Sequence, residues 1–240
     1  MDRCHLITSD DSAAKRRFIL RNRPMVAGYI LLSAALFLIT VQAYHANAFP
    51  GDLFLTRGLQ SVRLSPFDLV MQTVTQMGFP IPSALIGCLV AAAVWAARRR
   101  VEAFFVLLTF SGDGLNYLVK LAVARPRPSD DSIRIFQQLN EYSFPSAHVT
   151  HYVVFYGFIF YLAWTLFGSS ALRSVVLVGS AALVLLVGPS RIFLGAHWPS
   201  DVLGAYLLGG LWLAVLIEVH CEVTKRLSAF RSGASDRAPQ

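Results

Sequence analysis

The feature that most constrains this chain is a series of long apolar runs, at 25–44, 81–97, 103–124, 147–167, 175–187 and 202–219. A hydrocarbon core of about 30 Å needs roughly 20 helical residues to cross it. The runs are blocks, not amphipathic stripes, so they predict an all-α, polytopic membrane helix bundle with about six transmembrane helices. The fifth run is short for a span unless Leu172 and Ile192 extend it. Composition agrees: 55% of the 240 residues are hydrophobic and 15% charged, against about 25% charged in soluble domains.

The net charge of +7 raises the question of nucleic acid, but most basic residues flank apolar runs and read as topology signals. With the N-terminus inside, Lys15, Arg16, Arg17, Arg21, Arg23, Arg98–Arg100, Arg173, Lys225, Arg226, Arg231 and Arg237 all fall inside. No basic face remains for nucleic acid. The layout is a basic cytoplasmic N-terminus at 1–24, a membrane domain at 25–222 and a cytoplasmic, disordered tail at 223–240. The expected location is the plasma (inner) membrane, multi-pass, with both termini cytoplasmic.

Ala46-Asn47-Ala48 after the first run resembles a signal-peptidase site, although the run and its basic leader are long for a cleaved signal. The outer segment 50–79 is too polar to span. Gly51-Asp52 and Ser65-Pro66 read as helix starts, with Asp and Ser as caps and Pro in the first turn. Leu55, Leu59 and Val62 form one helical stripe, and Phe67, Val70, Met71 and Val74 another, predicting two short interfacial helices. Cys4, Cys88 and Cys221 are far apart and form neither a disulfide framework nor a zinc motif.

Lys120, Arg125, Arg127, Arg134 and Arg191 break the topology rule by falling outside. They accompany three polar blocks at the outer ends of spans: Lys120-x6-Arg127-Pro128, Pro145-Ser146-Ala147-His148, and Ser190-Arg191-x5-His197-x3-Asp201. Lys120, Arg127 and Arg191 offer fixed charge and many donors to phosphate oxygens. Ser146 opens a helix whose free N–H groups favour an anion. His197 with Asp201 four residues on has the logic of an oriented nucleophile, and His148 is placed to protonate a leaving oxygen. Taken singly, each has a structural alternative: a snorkelling Lys120, a lipid-anchoring Arg191, a boundary histidine, and helix-terminal roles for Asp201 and Ser146.

These blocks resemble the type 2 phosphatidic acid phosphatases, the PAP2 superfamily of membrane lipid phosphatases, whose pattern is K-x6-R-P, then P-S-G-H, then S-R-x5-H-x3-D. Ala147 stands where that pattern has glycine. The resemblance implies metal-independent hydrolysis with no cofactor. Lys120, Arg127, Ser146, Ala147 and Arg191 would bind phosphate, His197 would form a phosphohistidine, Asp201 would orient it and His148 would act as general acid. The substrate would be a phosphorylated membrane lipid met at the outer (periplasmic) face. Undecaprenyl diphosphate leads, with phosphatidic acid, phosphatidylglycerol phosphate and lipid A phosphates as alternatives. A non-hydrolytic phospholipid binder or transporter would keep the basic pocket without needing the His197–Asp201 pair. The soluble haloperoxidases that share the site are excluded by apolar content. Asp113, Arg125 and His151 are further candidates: Asp113 as partner to a deeper basic group or a buried structural hydrogen bond, His151 as a pocket residue or an interhelical hydrogen bond, Arg125 as a headgroup contact or a residue that only faces lipid phosphates.

Overall fold

A computed structural model of the chain describes residues 26–62, 64–129, 131–136 and 139–235, with side chains through Phe230. The basic N-terminal segment 1–24, with Cys4 and all of its topology-setting charges, and residues 236–240 lie outside the described residues. Among the described residues every regular element is a helix. They are α1 (Val26–His45), α2 (Asp52–Gln60), α3 (Ser65–Gln76), α4 (Pro80–Ala96), α5 (Arg100–Leu108), α6 (Ser111–Val123), α7 (Ala147–Leu166), α8 (Ala171–Phe193) and α9 (Pro199–Ser235).

Five helical segments are long and apolar enough to cross a membrane: α1, α5 with α6, α7, α8 and α9. A sixth is made if α3 and α4, bent by 68° at a short break, count as one broken span. α5 and α6 together form the third apolar run, interrupted by a turn at Thr109–Phe110.

α7 is the central post and packs mainly on α8 and α9. Its Val149, Tyr152, Val153, Phe155, Phe158 and Leu162 join Phe105 and Val106 of α5 and Val202 and Ala205 of α9 in one core. Burial of such side chains stabilises by roughly 1.5–3 kcal/mol each in water. At the perimeter, Ile30, Leu31 and Phe37 of α1 and Val175, Val178 and Leu185 of α8 are exposed. A helix that is apolar all round and bare on its outer side is matched to hydrocarbon.

Three boundaries differ from the sequence reading. The short fifth run lies inside a 23-residue α8 that continues through Pro189 to Phe193, because Ser190 and Arg191 turn inward to polar partners and do not end the helix. The tail from 223, expected to be disordered, continues α9 to Ser235; its Lys, Arg, Leu, Ala and Glu residues are good helix formers. In the outer segment both expected helices are present, but Asp52 and Ser65 are not their caps. Gly51, with φ 94°, caps α2 and Leu64 caps α3, while Pro66 does stand in the first turn.

α2 is also inverted relative to an ordinary surface helix. Its buried residues are Asp52, Thr56 and Gln60, one every turn, whereas Phe54 and Leu55 are exposed. The polar stripe faces the protein because it lies over the polar end of the bundle.

Candidate active site

Four helix ends meet at that polar end: the C-termini of α6 and α8 and the N-termini of α7 and α9. The Cα trace turns from α8 toward α9 at Gly195, whose φ is +66°; a Cβ there would lie 2.2 Å from the Arg134 carbonyl oxygen. That glycine lets the chain reverse and present His197 inward, where it is 1% exposed.

The His197 ring is held on both nitrogens. Arg127 Nη1 lies 3.2 Å from Nε2. On the other side, Nδ1 is 3.7 Å from Asp201 Oδ2 and 3.5 Å from Ser143 Oγ. Since a guanidinium can only donate, Nε2 is the acceptor and Nδ1 carries the proton. Burial pushes the His197 imidazole well below its usual range, and the charges of Arg127, Arg191 and Lys120 push it further the same way; only a Ser143 main-chain hydrogen bond opposes them. Both effects favour the neutral ring, with a lone pair on Nε2, the form a nucleophile needs.

Asp201 is fully buried. Its Oδ2 accepts from the Ser143 hydroxyl and from Trp198 N at 2.9 Å, and its Oδ1 accepts from Arg125 Nη1. It thus both closes the first turn of α9 and faces His197. The 3.7 Å separation exceeds a hydrogen bond, and such contacts often tighten only around bound substrate.

The cations come from three elements. Lys120, 3% exposed, donates to Tyr142 O at 2.7 Å and lies 3.6 Å from the Glu141 carboxylate. Arg127 donates from Nε to Glu141 O and from Nη1 to Ala196 O, both at 2.7 Å. Its guanidinium is shifted below its ordinary value, chiefly by burial, but an arginine stays charged at any working pH. Arg191, 1% exposed, donates from Nη1 to Thr75 Oγ1 at 2.6 Å, leaving Nε and Nη2 buried without partners.

Ser146 caps α7 from an extended conformation, and its Oγ is likewise buried and unpaired. The N–H groups of Ala147, His148 and Val149 occupy the first turn, where no intrahelical acceptor exists. Ala147 does not have a positive φ, so the glycine of the family pattern is not needed here for backbone freedom. His148 leaves Nε2 buried and unpaired. Its ring sits edge-on to Phe79 with centroids 5.0 Å apart and against Gly78, where a Cβ would stand 2.5 Å from the ring. Orphaned buried donors are rare in folded proteins, and here those of Arg191 and Ser146 accompany three cations and two histidines. The arrangement suits an oxyanion. Among the described residues no three His, Cys, Asp or Glu side chains cluster as a metal site.

Of the other candidates, Asp113 and His151 lie away from the His197 ring and Arg125 lies behind Asp201. Asp113 and His151 pair with each other at 3.0 Å between α6 and α7, with His151 stacked on Phe155; neither bonds to the residues around His197. Arg125, expected to contact a headgroup, faces inward at 1% exposure. Its partners are Asp201, Ser200, Asp52 and Ala46 O, so all three guanidinium nitrogens are engaged within the protein.

Ser143, Thr75, Asp52 and Gly78 also shape the site and were not singled out for it in the sequence. Ser143 and Thr75 are isolated hydroxyls in ordinary surroundings. Asp52 carried the signature of a helix start, and only its pairing with an inward arginine could have distinguished the two roles.

The PAP2 superfamily model matches residues 101–225. Phosphatidylglycerophosphatase B of Bacillus subtilis (strain 168) is 31% identical over 196 residues, 79% of this chain and 93% of that protein. Lipid phosphate phosphatase delta of Arabidopsis thaliana is 27% identical over 134 residues, 50% of this chain and 32% of that protein. Among solved structures, a PAP2-type phosphatidylglycerolphosphate phosphatase from Bacillus subtilis superposes with a TM-score of 0.67 at 24% identity, over 79% of this chain and 96% of that one. Aquifex aeolicus LpxE gives 0.56 at 18% identity, over 71% and 96%. The two superpositions establish a shared fold.

Proposed function

This chain belongs to the PAP2 superfamily, and we propose that it removes the terminal phosphate of phosphatidylglycerol phosphate through a phosphohistidine on His197, without a metal ion. It is a multi-pass membrane enzyme, a phosphoric ester hydrolase of the lipid phosphatase class. The observation that carries the mechanism is the buried His197 ring, with Nε2 turned toward Arg127 and Nδ1 toward Asp201.

In this reading the phosphoryl group takes the place of the Arg127–Nε2 contact. Lys120, Arg127, Arg191, Ser146 and the first-turn N–H groups at Ala147 hold its oxygens, stabilising charge that builds in the transition state. Nε2 attacks phosphorus, the ester oxygen leaves, and His148 supplies its proton. Asp201 keeps the Nδ1 proton in place and steadies the imidazolium. Water then attacks the phosphohistidine, with His148 taking the proton in return.

The relative's name favours a phosphatidylglycerol phosphate substrate. A second reading, undecaprenyl diphosphate, would offer its outer phosphate to the same three cations, of which Lys120 is partly balanced by Glu141. Phosphate release by the purified protein in detergent, measured across both lipids, phosphatidic acid and lipid A, decides between them. Preference for phosphatidylglycerol phosphate supports the first reading; a higher kcat/KM for the diphosphate overturns it.

The side of the membrane is read from charge. Arg98–Arg100 lie at the opposite end of the bundle, around a cavity they share with Thr224 and Ser228 of α9. The positive-inside rule assigns that end to the cytoplasm, which puts the reaction at the outer leaflet. Labelling of single cysteines at Glu141 and Ser228 by an impermeant reagent in intact cells tests this: Glu141→Cys should react and Ser228→Cys should not.

A further inference from the structure

A buried guanidinium must be paired, and one whose three nitrogens are all engaged by the protein is held in place by it. Arg125 meets both conditions. Its Nε donates to Ala46 O at 3.1 Å, Nη1 to Ser200 Oγ at 2.8 Å and to Asp201 Oδ1, and Nη2 to Asp52 Oδ2 at 3.2 Å. Its face lies 4.8 Å over the Phe49 ring.

Asp52, 3% exposed, is equally committed. Oδ1 accepts from Ser200 N at 2.9 Å; Oδ2 accepts from Ser200 Oγ at 2.6 Å and from Phe49 N at 2.7 Å. Ser200 directly precedes Asp201. The carboxylate of α2 therefore grips Arg125 and the start of α9 together.

Asp201 would otherwise be free to rotate about its terminal torsion, which is broad for a carboxylate. Arg125 on Oδ1 and Ser143 with Trp198 N on Oδ2 remove that freedom and leave Oδ2 turned toward His197. We infer that Arg125 and Asp52 are positioning residues: the buried relay Asp52–Arg125–Asp201 fixes the carboxylate that orients His197, and it does so from the outer helix α2. This rests on His197 being the nucleophile. It gives the outer segment a part in catalysis, through geometry and not through contact with the lipid.

The test is Asp52→Asn, which keeps the shape and removes the negative charge that faces Arg125, assayed on phosphatidylglycerol phosphate in detergent. Misplacement of a reacting group by about 1 Å can cost about a hundredfold, so kcat should fall between tenfold and a hundredfold. KM and inhibition by inorganic phosphate should hold, because the oxyanion donors are untouched. In an Asp201→Asn background the same substitution should cost nothing further, since groups acting as one unit are non-additive. Unchanged kcat, or an equal loss in both backgrounds, overturns the inference. If Asp52→Asn does not fold, Arg125→Lys, which keeps the charge and loses the fork, should give the same pattern. Wild-type turnover by His197→Ala would instead overturn the phosphohistidine reading itself.

Discussion

Nδ1 of His197 stands 3.7 Å from Oδ2 of Asp201, and Ser143 Oγ, hydrogen-bonded to that same oxygen, lies 3.5 Å from the same nitrogen. The imidazole is thus flanked by a carboxylate and a hydroxyl on its protonated side and by a guanidinium on its free side. That asymmetry favours the tautomer with Nε2 unprotonated, which the proposed nucleophilic role requires.

Asp201→Asn should lower kcat by about a thousandfold to ten thousandfold, the scale seen when the orienting carboxylate of a catalytic triad is replaced. KM should change little, because Asp201 is turned away from the oxyanion donors. Steady-state kinetics on detergent-solubilised protein measures both.

Arg191→Lys keeps the charge but discards the fork that bonds Thr75 and leaves two donors for the anion. Loss of a preorganised oxyanion donor costs about a hundredfold to a thousandfold. Thr75→Ala, which frees Nη1 without touching the ligand, should give a smaller loss of the same kind. A larger effect from Thr75→Ala than from Arg191→Lys would contradict the assignment.

Activity should persist to lower pH than an ordinary histidine allows. His197 attacks when neutral, and burial with neighbouring cations lowers its ionisation, so the acid limb of kcat/KM should fall below pH 6.5, the unperturbed value. Arg127→Gln removes one of those charges. The remaining activity should then show an acid limb moved toward higher pH, read from kcat/KM profiles of the two proteins.

Gly78→Ala would place a methyl 2.5 Å from the His148 ring. The ring or the α3–α4 break must move, at a cost of about 1–3 kcal/mol for overpacking. A lower melting temperature with a fall in kcat is expected. Substrates with a better leaving group, which need less protonation, should be less affected; an equal loss for all would show that His148 was not the group disturbed.

EDTA should leave turnover intact, and vanadate, which can adopt five-coordinate geometry, should inhibit in competition with substrate. A requirement for added magnesium would contradict a site built from cations of the chain.

The sequence displayed the candidate site residues but not their supports. Lys120, Arg127, His148, Arg191, His197 and Asp201 were legible because they break topology or composition rules at fixed short spacings. The spans were legible because about 20 apolar residues have few other uses. Asp52, Thr75 and Gly78 were not, because their roles arise from packing against residues 70 or more positions away, such as Arg125, Arg191 and His148. Arg125 was misplaced for a related reason: two residues from Arg127 in sequence, it points to the opposite side of the His197–Asp201 pair. The ends of α8 and α9 were missed because polar residues there continue the helix instead of stopping it.

The most direct measurement is to mix enzyme with excess phosphatidylglycerol phosphate, quench in base within the first turnover, and map phosphorylation by mass spectrometry. Phosphate on His197, absent from His197→Ala and chased away by longer incubation, is the expected result. Full turnover with no modified histidine, or with phosphate on another side chain, would contradict the account.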